Sequence, residues 1–551
     1  MSSQTKSLRR RIRFIRTTPR TAASPAPGAC GRANGSSQAK AKAKAKAKTE
    51  TETETGTIAA TAALATETPA VPEPDRADDN EAARTGHPQG AMIPDLFAGL
   101  PPVADDLRTS TSTTQEQTAQ MCMLYLSAAS NADLDHNGHG VPRLDRDRHV
   151  RFLHKTVGRL PAPFVAADAS RPWFLYWSLN ALALLGEDVS GAYADRVAAT
   201  ARSMQNPGGG FGGGHDQTSH LATTYATVLA LALVGIPDAL AVIDRRAMWK
   251  WLCSLKQADG GFRMSVGGEE DVRGAYCAAV VITLLNLPLD LSQDSEAYAR
   301  DPGANLFTNL GDYVRRCQTF EGGISGQPDA EAHGAYAFCA LGCLSLLGSP
   351  DEMISKYLNV PRLISWLSSR QYAPEGGFSG RTNKLVDGCY SHWVGGCWPL
   401  IEACLKGPID ASTAASATPE SMFSREGLIR YILCCCQDLK RGGLRDKPGK
   451  SPDAYHSCYV LAGLSSAENR WQLISPDPTS AVGGGGGGGG GDGDGDVALE
   501  AAAPRWVVSP YQDEVQVFDE GDRVAPVHPL YVIPEDKVAS AQAYFAALVG
   551  F

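Results

Sequence analysis

Arg370-Gln371-Tyr372-Ala373-Pro374-Glu375-Gly376-Gly377-Phe378 is a stretch whose closing turn recurs along the chain. Two glycines followed by an apolar residue occur at four more places, at broadly similar intervals. The other copies are Gly209-Gly210-Phe211, Gly260-Gly261-Phe262, Gly322-Gly323-Ile324 and Gly442-Gly443-Leu444. An internal repeat with this spacing indicates an array of similar supersecondary units.

Each copy of the turn predicts one pair of helices. A helical stretch that carries Gln, or Arg-Gln as at Gln371, precedes the turn, and an apolar helical stretch such as residues 336–347 follows it. The alternation of apolar and polar residues that is typical of strands is scarce. Because a single hairpin cannot bury its own apolar face, we expect an all-α fold in which several hairpins close into a ring of inner and outer helices.

A polar residue follows each turn at a similar distance. It comes soon after the second glycine, at the start of the next apolar stretch. In a closed ring, equivalent positions face one cavity, and helix N-termini, which favour anions, are aimed at the same place. The five residues are His220, Arg273, His333, Asp387 and His456.

Composition narrows the class of protein. The chain is 43% hydrophobic, which is ample for a sizeable core. Residues 1–48 are rich in Lys and Arg and hold no acid, so the rest of the chain is more acidic than the overall charge of −9. An acidic body argues against nucleic acid as a partner. The sequence lacks the apolar run of roughly 18 residues or more that a spanning helix needs, so we expect no stable membrane insertion. Its 14 cysteines show no disulfide or CxxC pattern, which favours core thiols in a reducing compartment, the cytoplasm.

Low-complexity segments divide the chain. Residues 1–115 include alternating Ala-Lys and Thr-Glu runs that cannot bury a core, and we expect a disordered tail there. Its Arg-rich opening resembles a mitochondrial transit peptide, although a basic disordered tail is the favoured interpretation. A Gly-rich flexible insertion, residues 476–504, separates the repeat region, residues 116–475, from a C-terminal segment, residues 505–551.

Three of the side chains are candidate metal ligands. Asp387 and Cys389 lie two residues apart, and His456 comes from the next repeat. One carboxylate, one thiolate and one imidazole make a three-ligand zinc set with an open fourth position, which is the pattern of catalytic sites. Taken alone, the pattern also fits a capping Asp, a core Cys and an ordinary His. The shared position in the repeat favours the metal site.

Cations and aromatic residues surround this candidate site. Arg381 and Lys384, with His333, Arg273 and Tyr390, would make a cationic wall suited to a diphosphate, although a solvated basic loop is the alternative. The numerous aromatic residues suit core packing or a long apolar ligand with an anionic head. They are Trp173, Tyr176, Trp177, Tyr225, Tyr276, Tyr336, Trp393, Tyr455 and Tyr459.

Several ordered motifs carry a resemblance to a known family. They are Asp168-Ala-Ser-Arg171-Pro172-Trp173, Glu331-Ala-His333-Gly334-Ala-Tyr336, the segments 381–393 and 446–456, and His528-Pro529-Leu-Tyr531. From about residue 110 to the end, outside the Gly-rich insertion, the chain resembles the β subunits of protein farnesyltransferases. The resemblance implies an α–α toroid that works as a heterodimer with an α subunit. It also implies transfer of farnesyl from farnesyl diphosphate to the cysteine of CaaX-terminated proteins such as Ras-like GTPases.

The resemblance also implies residue roles. It assigns Asp387, Cys389 and His456 to zinc, and Asp446 to magnesium. The expected catalytic residues are these three zinc ligands with Lys384 and Tyr390. The expected farnesyl diphosphate contacts are His333, Arg381, Lys384, Tyr390, Arg273, Tyr336 and Trp393. The expected peptide contacts are Trp173, Trp177, His220, Ala222, Tyr455 and Tyr459.

Three residues favour farnesyl over geranylgeranyl. Trp173 is bulky where the related geranylgeranyl enzymes have a small residue, so it should shorten the cavity, and Tyr459 and Asp446 also agree with the farnesyl type. One departure is Thr223, where the family has Pro, and it leaves the preference at the CaaX X position open. The rival hypotheses are a geranylgeranyltransferase β subunit, a terpenoid cyclase, whose Asp-x-Asp-Asp acid motif is not found, and a non-catalytic toroid that binds prenylated proteins.

Overall fold

The computed structural model describes residues 107–127, 135–410, 412, 421–475, 504–511, 516–548 and 551, and they are mostly helical. The helices of the first half are α1 (Ser110–Leu126), α2 (Arg146–Val157), α3 (Arg171–Leu184), α4 (Val189–Met204), α5 (Leu221–Val234), α6 (Pro237–Leu240), α7 (Arg245–Leu255), α8 (Val272–Leu284) and α9 (Glu296–Arg300). Those of the second half are α10 (Leu310–Arg316), α11 (Gly334–Leu347), α12 (Pro350–Tyr357), α13 (Val360–Ser368), α14 (Tyr390–Trp393), α15 (Cys397–Lys406), α16 (Arg425–Arg430), α17 (Ala454–Glu468) and α18 (Glu535–Ala546).

Six of these helices form a closed inner circle. The neighbours in contact are α3 and α5, α5 and α8, α8 and α11, α11 and α14, α14 and α17, and finally α17 and α3. The inner helix α5 is buried on nearly all sides. The helix that comes before each turn buries only one face, as α7 does with Met248, Trp251, Leu252 and Leu255, which is typical of a helix with solvent on its other side. The predicted toroid is therefore confirmed.

The Gly-Gly turns bring each hairpin into close contact with the next one. Gly322 has φ of +103°, and a Cβ at this position would lie 2.3 Å from the carbonyl oxygen of Arg362, in α13. The first glycine of every other copy makes the same approach to the outer helix of the next hairpin or to its start. In the last copy, Gly442 packs against Arg148 of α2. The fifth turn therefore closes the ring onto its first outer helix, and only glycine fits such positions.

A Gln side chain before four of the five turns bridges to the next hairpin at the same junction. The side chain of Gln371 donates to the carbonyl of Ser424 at 2.8 Å and accepts from its backbone N–H at 2.9 Å. Gln205, Gln318 and Gln437 bridge their neighbouring hairpins in the same way. The second hairpin of the repeat has Lys256 instead, whose Nζ donates to the carbonyls of Gly260 and Thr308 at 2.8 Å. Burial lowers the pKa of this lysine to about 7.

A sixth hairpin completes the circle. It comprises α2 and α3, which are joined through a 3-10 segment, Ala162–Ser170, and it has no Gly-Gly turn. The Gly-Gly repeat in the sequence therefore marks five of the six units. Helix α1 begins at Ser110, where Thr109 and Ser112 form a capping box, so residues 110–115 of the predicted tail are helical. The rest of that tail up to residue 106, and residues 476–503 of the predicted insertion, lie outside the described residues.

The C-terminal segment packs against the inner helices, and its helix α18 contacts α5 and α8. The hydroxyl of Tyr276 donates to the carbonyl of Leu530 at 2.7 Å, and Tyr176 and Asn180 both donate to the carbonyl of Val532. The segment begins with β2 (Arg505–Pro510), which pairs with β1 (Asn469–Ile474) in an antiparallel arrangement that was not predicted. Every cysteine within the described ranges is buried and free, in agreement with their interpretation as core thiols. No helix in the described part of the chain has the length and apolar character that would span a bilayer.

Candidate functional site

The inner helices present polar side chains at the end where they begin. His220 and His333 are the N-cap residues of α5 and α11, and the Nδ1 atom of each accepts a backbone N–H two residues later, at 3.2 and 3.1 Å. Asp453 caps α17 and accepts from the backbone N–H of His456 at 2.8 Å. The helix starts thus fix the orientation of these side chains before any ligand is considered.

The three predicted metal ligands come together in the structure. Asp387, Cys389 and His456 each offer one donor atom, and the three atoms lie within 4.8 Å of one another. Cys389 and His456 are buried, and Asp387 is partly buried. The Nδ1 atom of His456 lies 2.7 Å from a carboxylate oxygen of Asp453, which fixes the proton on Nδ1. Its Nε2 atom therefore faces the other two donors and lies 3.2 Å from a carboxylate oxygen of Asp387.

The electrostatics of this group suit a bound cation. Burial raises the pKa of the Cys389 thiol, and the carboxylate of Asp387 raises it further. Burial alone would lower the pKa of His456, but Asp453 and Asp387 raise it well above its ordinary value. The sulfur, nitrogen and oxygen donors fit a zinc ion, which would take the place of the proton that the raised pKa keeps on Nε2. The contact between Asp453 and His456 is the outer carboxylate–histidine pair that zinc sites commonly carry.

His333 and Tyr390 join two neighbouring hairpins beside this group. The Nε2 atom of His333 lies 3.1 Å from the hydroxyl oxygen of Tyr390. Burial, and then the charge of Arg381, lowers the pKa of His333 to about 4, so the ring is neutral at pH 7. Since its Nδ1 accepts a backbone N–H, the ring proton is on Nε2 and is donated to Tyr390. The hydroxyl proton of Tyr390 is then free for another acceptor.

The other predicted cations lie in two places. Arg381 donates through Nη1 to the carboxylate of Glu331 at 2.7 Å, and Lys384 is exposed three residues later. Arg273 is instead held by Asp271, and Glu269 lies 3.8 Å from Arg273 and 4.0 Å from Nε2 of His220. The structure therefore pairs Arg273 with His220 through Glu269.

Ala222, a predicted peptide contact, and Thr223, the departure from the family, adjoin this second group. Ala222 donates its backbone N–H to His220 and is partly buried. The Thr223 hydroxyl donates to the carbonyl of Phe211 at 2.7 Å. The departure from the family residue at this position is thus satisfied locally, because the buried hydroxyl has a partner.

Eight aromatic rings form a closed circuit inside the toroid. Neighbouring ring centroids lie 4.4 to 6.0 Å apart, a range typical of aromatic contacts. Each of the six inner helices contributes at least one ring. In order around the circuit, the residues are Trp177, Trp173, Tyr225, Tyr276, Phe338, Trp393, Tyr459 and Tyr455. Tyr336, the remaining predicted contact, packs 5.3 Å from His333.

Asp446 lies close to the proposed metal ligands but has a partner already. Burial, and then the charge of Asp387, raises the pKa of Asp446 to about 6. Its carboxylate contacts the ammonium of Lys447, which is also buried. A magnesium ion takes several oxygen ligands, so this ion pair does not by itself fit one.

Sequence reasoning missed several residues of the site. Asp453 was noticed only as part of a motif, although its position three residues before His456 at a helix start is a capping signal. Glu331 and Glu269 stand beside predicted cations, but no sequence spacing distinguishes them from other surface acids. Phe338 completes the aromatic circuit and was not among the predicted contacts.

Comparisons with known proteins agree with the toroid fold and with the resemblance seen in the sequence. Residues 144–533 match the family model of the prenyltransferase alpha-alpha toroid domain. The chain is 63% identical over 561 aligned positions to the protein farnesyltransferase subunit beta of Pyricularia oryzae, with complete coverage of both. It is 43% identical over 319 to that of Schizosaccharomyces pombe, covering 58% of this chain and 77% of the relative.

The geranylgeranyl alternative is less well supported. The chain is 27% identical to the geranylgeranyl transferase type-1 subunit beta of Arabidopsis thaliana, over 59% of this chain and 86% of that one. The match at 63% identity covers the full length of both proteins. The chain therefore belongs to the family of protein farnesyltransferase β subunits, which is built on the prenyltransferase α–α toroid.

Proposed function

We propose that this chain is the catalytic subunit of a heterodimer that moves farnesyl from farnesyl diphosphate to the cysteine thiol of CaaX-terminated proteins. The observation that carries the proposal is the meeting of Asp387, Cys389 and His456 beside Tyr455, a member of the aromatic circuit whose ring lies 5.0 Å from that of His456. Cationic and hydroxyl groups stand beside them. A thiol, a diphosphate and a long apolar chain would each have a matching surface there.

Asp387, Cys389 and His456 would hold one zinc ion and leave its fourth position for the substrate. Zinc bound there would supply the positive charge that lowers the pKa of a substrate thiol from about 8.5 towards neutrality. The chain's own contribution is to fix the donors, with Asp453 orienting the ring of His456 and the backbone N–H of Cys389 donating to Asp387 at 2.9 Å.

The diphosphate would lie against Arg381, Lys384, His333 and Tyr390. The sulfur–carbon bond forms at the first carbon of the farnesyl chain, and the bond from that carbon to the diphosphate oxygen breaks. Negative charge then grows on the leaving diphosphate, which the free hydroxyl proton of Tyr390 and the two cations stabilise. His333 keeps the hydroxyl of Tyr390 aimed because it donates to its oxygen.

The farnesyl chain would occupy the aromatic circuit. The ring centroids of Trp393 and Tyr459 are 4.4 Å apart, and the two rings supply apolar faces. Tyr336 would contact the end of the chain next to the diphosphate, because its ring packs against His333. Trp173 stacks on Trp177 at 5.4 Å and also contacts Tyr225. This packing holds a bulky indole in the cavity, which supports fifteen carbons over twenty.

The peptide would lie between the metal site and the two Trp residues of α3. Trp173, Trp177 and Tyr455 would contact its aliphatic residues, since Trp177 and Tyr455 meet at 5.3 Å. His220 and Ala222 would face its last residue, and Arg273 lies with them through Glu269. The preference at that last residue stays a question for experiment, because Thr223 departs from the family.

Other parts of the proposal concern the chain as a whole. We expect residues 116–475 and 505–551 to form the toroid. The cytoplasm remains the expected compartment, with zinc as the resident metal. Magnesium at Asp446 stays a prediction, since Lys447 would have to give up its contact with Asp446.

Co-expression with candidate α subunits tests this function. The purified heterodimer would be assayed with farnesyl and geranylgeranyl diphosphates against CaaX peptides varied at X. We expect a thioether product, a clear preference for farnesyl, and no product when the peptide cysteine is replaced by serine. Preference for geranylgeranyl would favour the geranylgeranyltransferase alternative. Prenyl affinity without transfer, in protein that holds no zinc, would favour the non-catalytic toroid.

A further inference from the structure

A carboxylate occupies one face of the proposed diphosphate site. Glu331 accepts a hydrogen bond from Nη1 of Arg381 at 2.7 Å. It lies two residues before His333, whose pKa is influenced by both Arg381 and Glu331. The pair thus joins the loop before α11 to the loop before α14, at the point where an anion is expected.

The turn that carries the cations is held at a second point. Thr382 donates its hydroxyl to a carboxylate oxygen of Glu321 at 3.1 Å, and the same oxygen accepts from Nε1 of Trp366 at 3.3 Å. Asn383 then has φ of +59°, and the Lys384 N–H reaches back to the carbonyl of Arg381. Because Glu321 holds the side chain of Thr382, the turn keeps an attachment that does not depend on Glu331.

The contact between Glu331 and Arg381 is open to water. The side chain of Glu331 is 56% exposed and that of Arg381 is 26% exposed. Exposed ion pairs contribute little to stability, and a guanidinium has five N–H donors, of which this contact uses one. Arg381 therefore keeps donors for an anion while the negative charge of Glu331 remains within a few ångströms.

We propose that Glu331 is a positioning residue that orients Arg381 and offsets its charge, so that the diphosphate group is bound weakly enough to leave after transfer. This inference rests on the proposed function, which places the diphosphate at Arg381. Tight binding of the diphosphate in both substrate and product does not speed the chemical step, and slow product release limits many enzymes. A fixed carboxylate beside the anion weakens both complexes through like-charge repulsion.

The test separates the effect of the negative charge of Glu331 from the effect of its hydrogen bond to Arg381. Glu331→Gln keeps an oxygen that accepts from Arg381 but removes the negative charge, and Glu331→Asp restores the charge. The heterodimer with its α subunit would be titrated with inorganic diphosphate by calorimetry, and the KM for farnesyl diphosphate and kcat would be measured. Asp312→Asn is a matched control, since Asp312 pairs with Arg315 at 3.4 Å on the outer helix α10.

We expect Glu331→Gln to bind inorganic diphosphate about three to ten times more tightly and to lower the KM for farnesyl diphosphate, without an increase in kcat. The difference in diphosphate affinity between Glu331→Gln and the wild type should become smaller at high salt. The Glu331→Asp protein should bind diphosphate with an affinity close to that of the wild type. In an Arg381→Gln background the gain should disappear. Equal or weaker binding by a folded Glu331→Gln protein overturns the inference. If the wild type itself does not bind diphosphate, the proposed function falls and this inference falls with it.

Discussion

The hydroxyl of Tyr390 lies 3.1 Å from Nε2 of His333, and the two residues come from neighbouring hairpins. His333 caps α11 through Nδ1, so the geometry of one helix start determines which atom of the ring carries the proton. That proton fixes the oxygen of Tyr390 and leaves the phenolic O–H for a ligand. The pair connects the capping chemistry of the repeat to the chemistry of the site.

Replacing Tyr390 by Phe should lower kcat about tenfold to a hundredfold, because one donor to the leaving diphosphate is lost. The KM for the peptide should change little, since the hydroxyl faces the other substrate. Steady-state kinetics of the heterodimer measure both constants. Tyr298→Phe, on the short helix α9, is the control and should behave as the wild type. Unchanged kcat in the Tyr390→Phe variant would remove Tyr390 from the mechanism.

Gly322→Ala should destabilise the toroid by more than about 3 kcal/mol, because its Cβ would lie 2.3 Å from the carbonyl oxygen of Arg362. Gly267 is the matched control. It also has a positive φ, of +74°, but nothing lies within 4 Å of a Cβ there, so Gly267→Ala should cost only about 1 to 2 kcal/mol. Urea unfolding compares the two, and equal losses would mean that close approach does not matter at the turn.

The sequence predicts those parts of the fold in which packing allows only one type of residue. Gly322 and its equivalents are visible because the approach of two backbones admits no other residue. The sixth hairpin has no Gly-Gly turn, so its 3-10 link at residues 162–170 leaves no repeat to detect. The strands β1 and β2 are separated by a long segment rich in glycine, and a pairing so distant in sequence leaves no local pattern.

The free energy of unfolding should depend on pH because of Glu468, which is fully buried at the end of α17. Burial raises the pKa of its carboxyl to about 8. The folded state then binds a proton that the unfolded state releases near pH 4.5, so this group's contribution to stability is lost as pH rises from about 4.5 to 8. The expected slope is about 1.4 kcal/mol per pH unit.

Glu468→Gln removes this ionisation and retains an acceptor for the N–H of Val524, which now bonds to the carboxylate at 2.9 Å. The variant should match the wild type near pH 4.5 and exceed it in stability at pH 8. Denaturant unfolding at several pH values measures the difference. Glu296→Gln, an exposed position, should show no such trend. A constant difference between the Glu468→Gln variant and the wild type across this range would contradict the argument.

Trp173→Ala should enlarge the prenyl cavity, because the indole contacts three other rings, those of Trp177, Tyr176 and Tyr225. We expect the ratio of kcat/KM for geranylgeranyl over farnesyl diphosphate to rise at least about tenfold, as the cost of accommodating the longer chain falls. Competition between the two diphosphates measures the ratio directly. Trp249→Ala, on the outer helix α7, should leave it unchanged. An unaltered ratio in Trp173→Ala would place the limit on chain length elsewhere.

The site itself was predictable to the extent that the repeat positions its residues. Asp387 and His456 share one position in successive repeats, Cys389 follows Asp387 by two residues, and the structure brings the three together. Arg273 shares that position too, yet Asp271 turns its guanidinium towards Glu269 and His220. A repeat fixes where a backbone lies, whereas the direction of a long side chain depends on neighbours that the spacing does not reveal.

Zinc content tests the central claim most directly. Metal analysis of the purified heterodimer should find about one zinc per β subunit, and Cys389→Ala and His456→Ala should each lose the metal together with transfer activity while remaining folded. Asp453→Asn should hold zinc less tightly by about tenfold to a hundredfold, because the outer partner of His456 is weakened. A Cys389→Ala protein that keeps its zinc, or a zinc-free wild type that transfers farnesyl at full rate, would contradict the account.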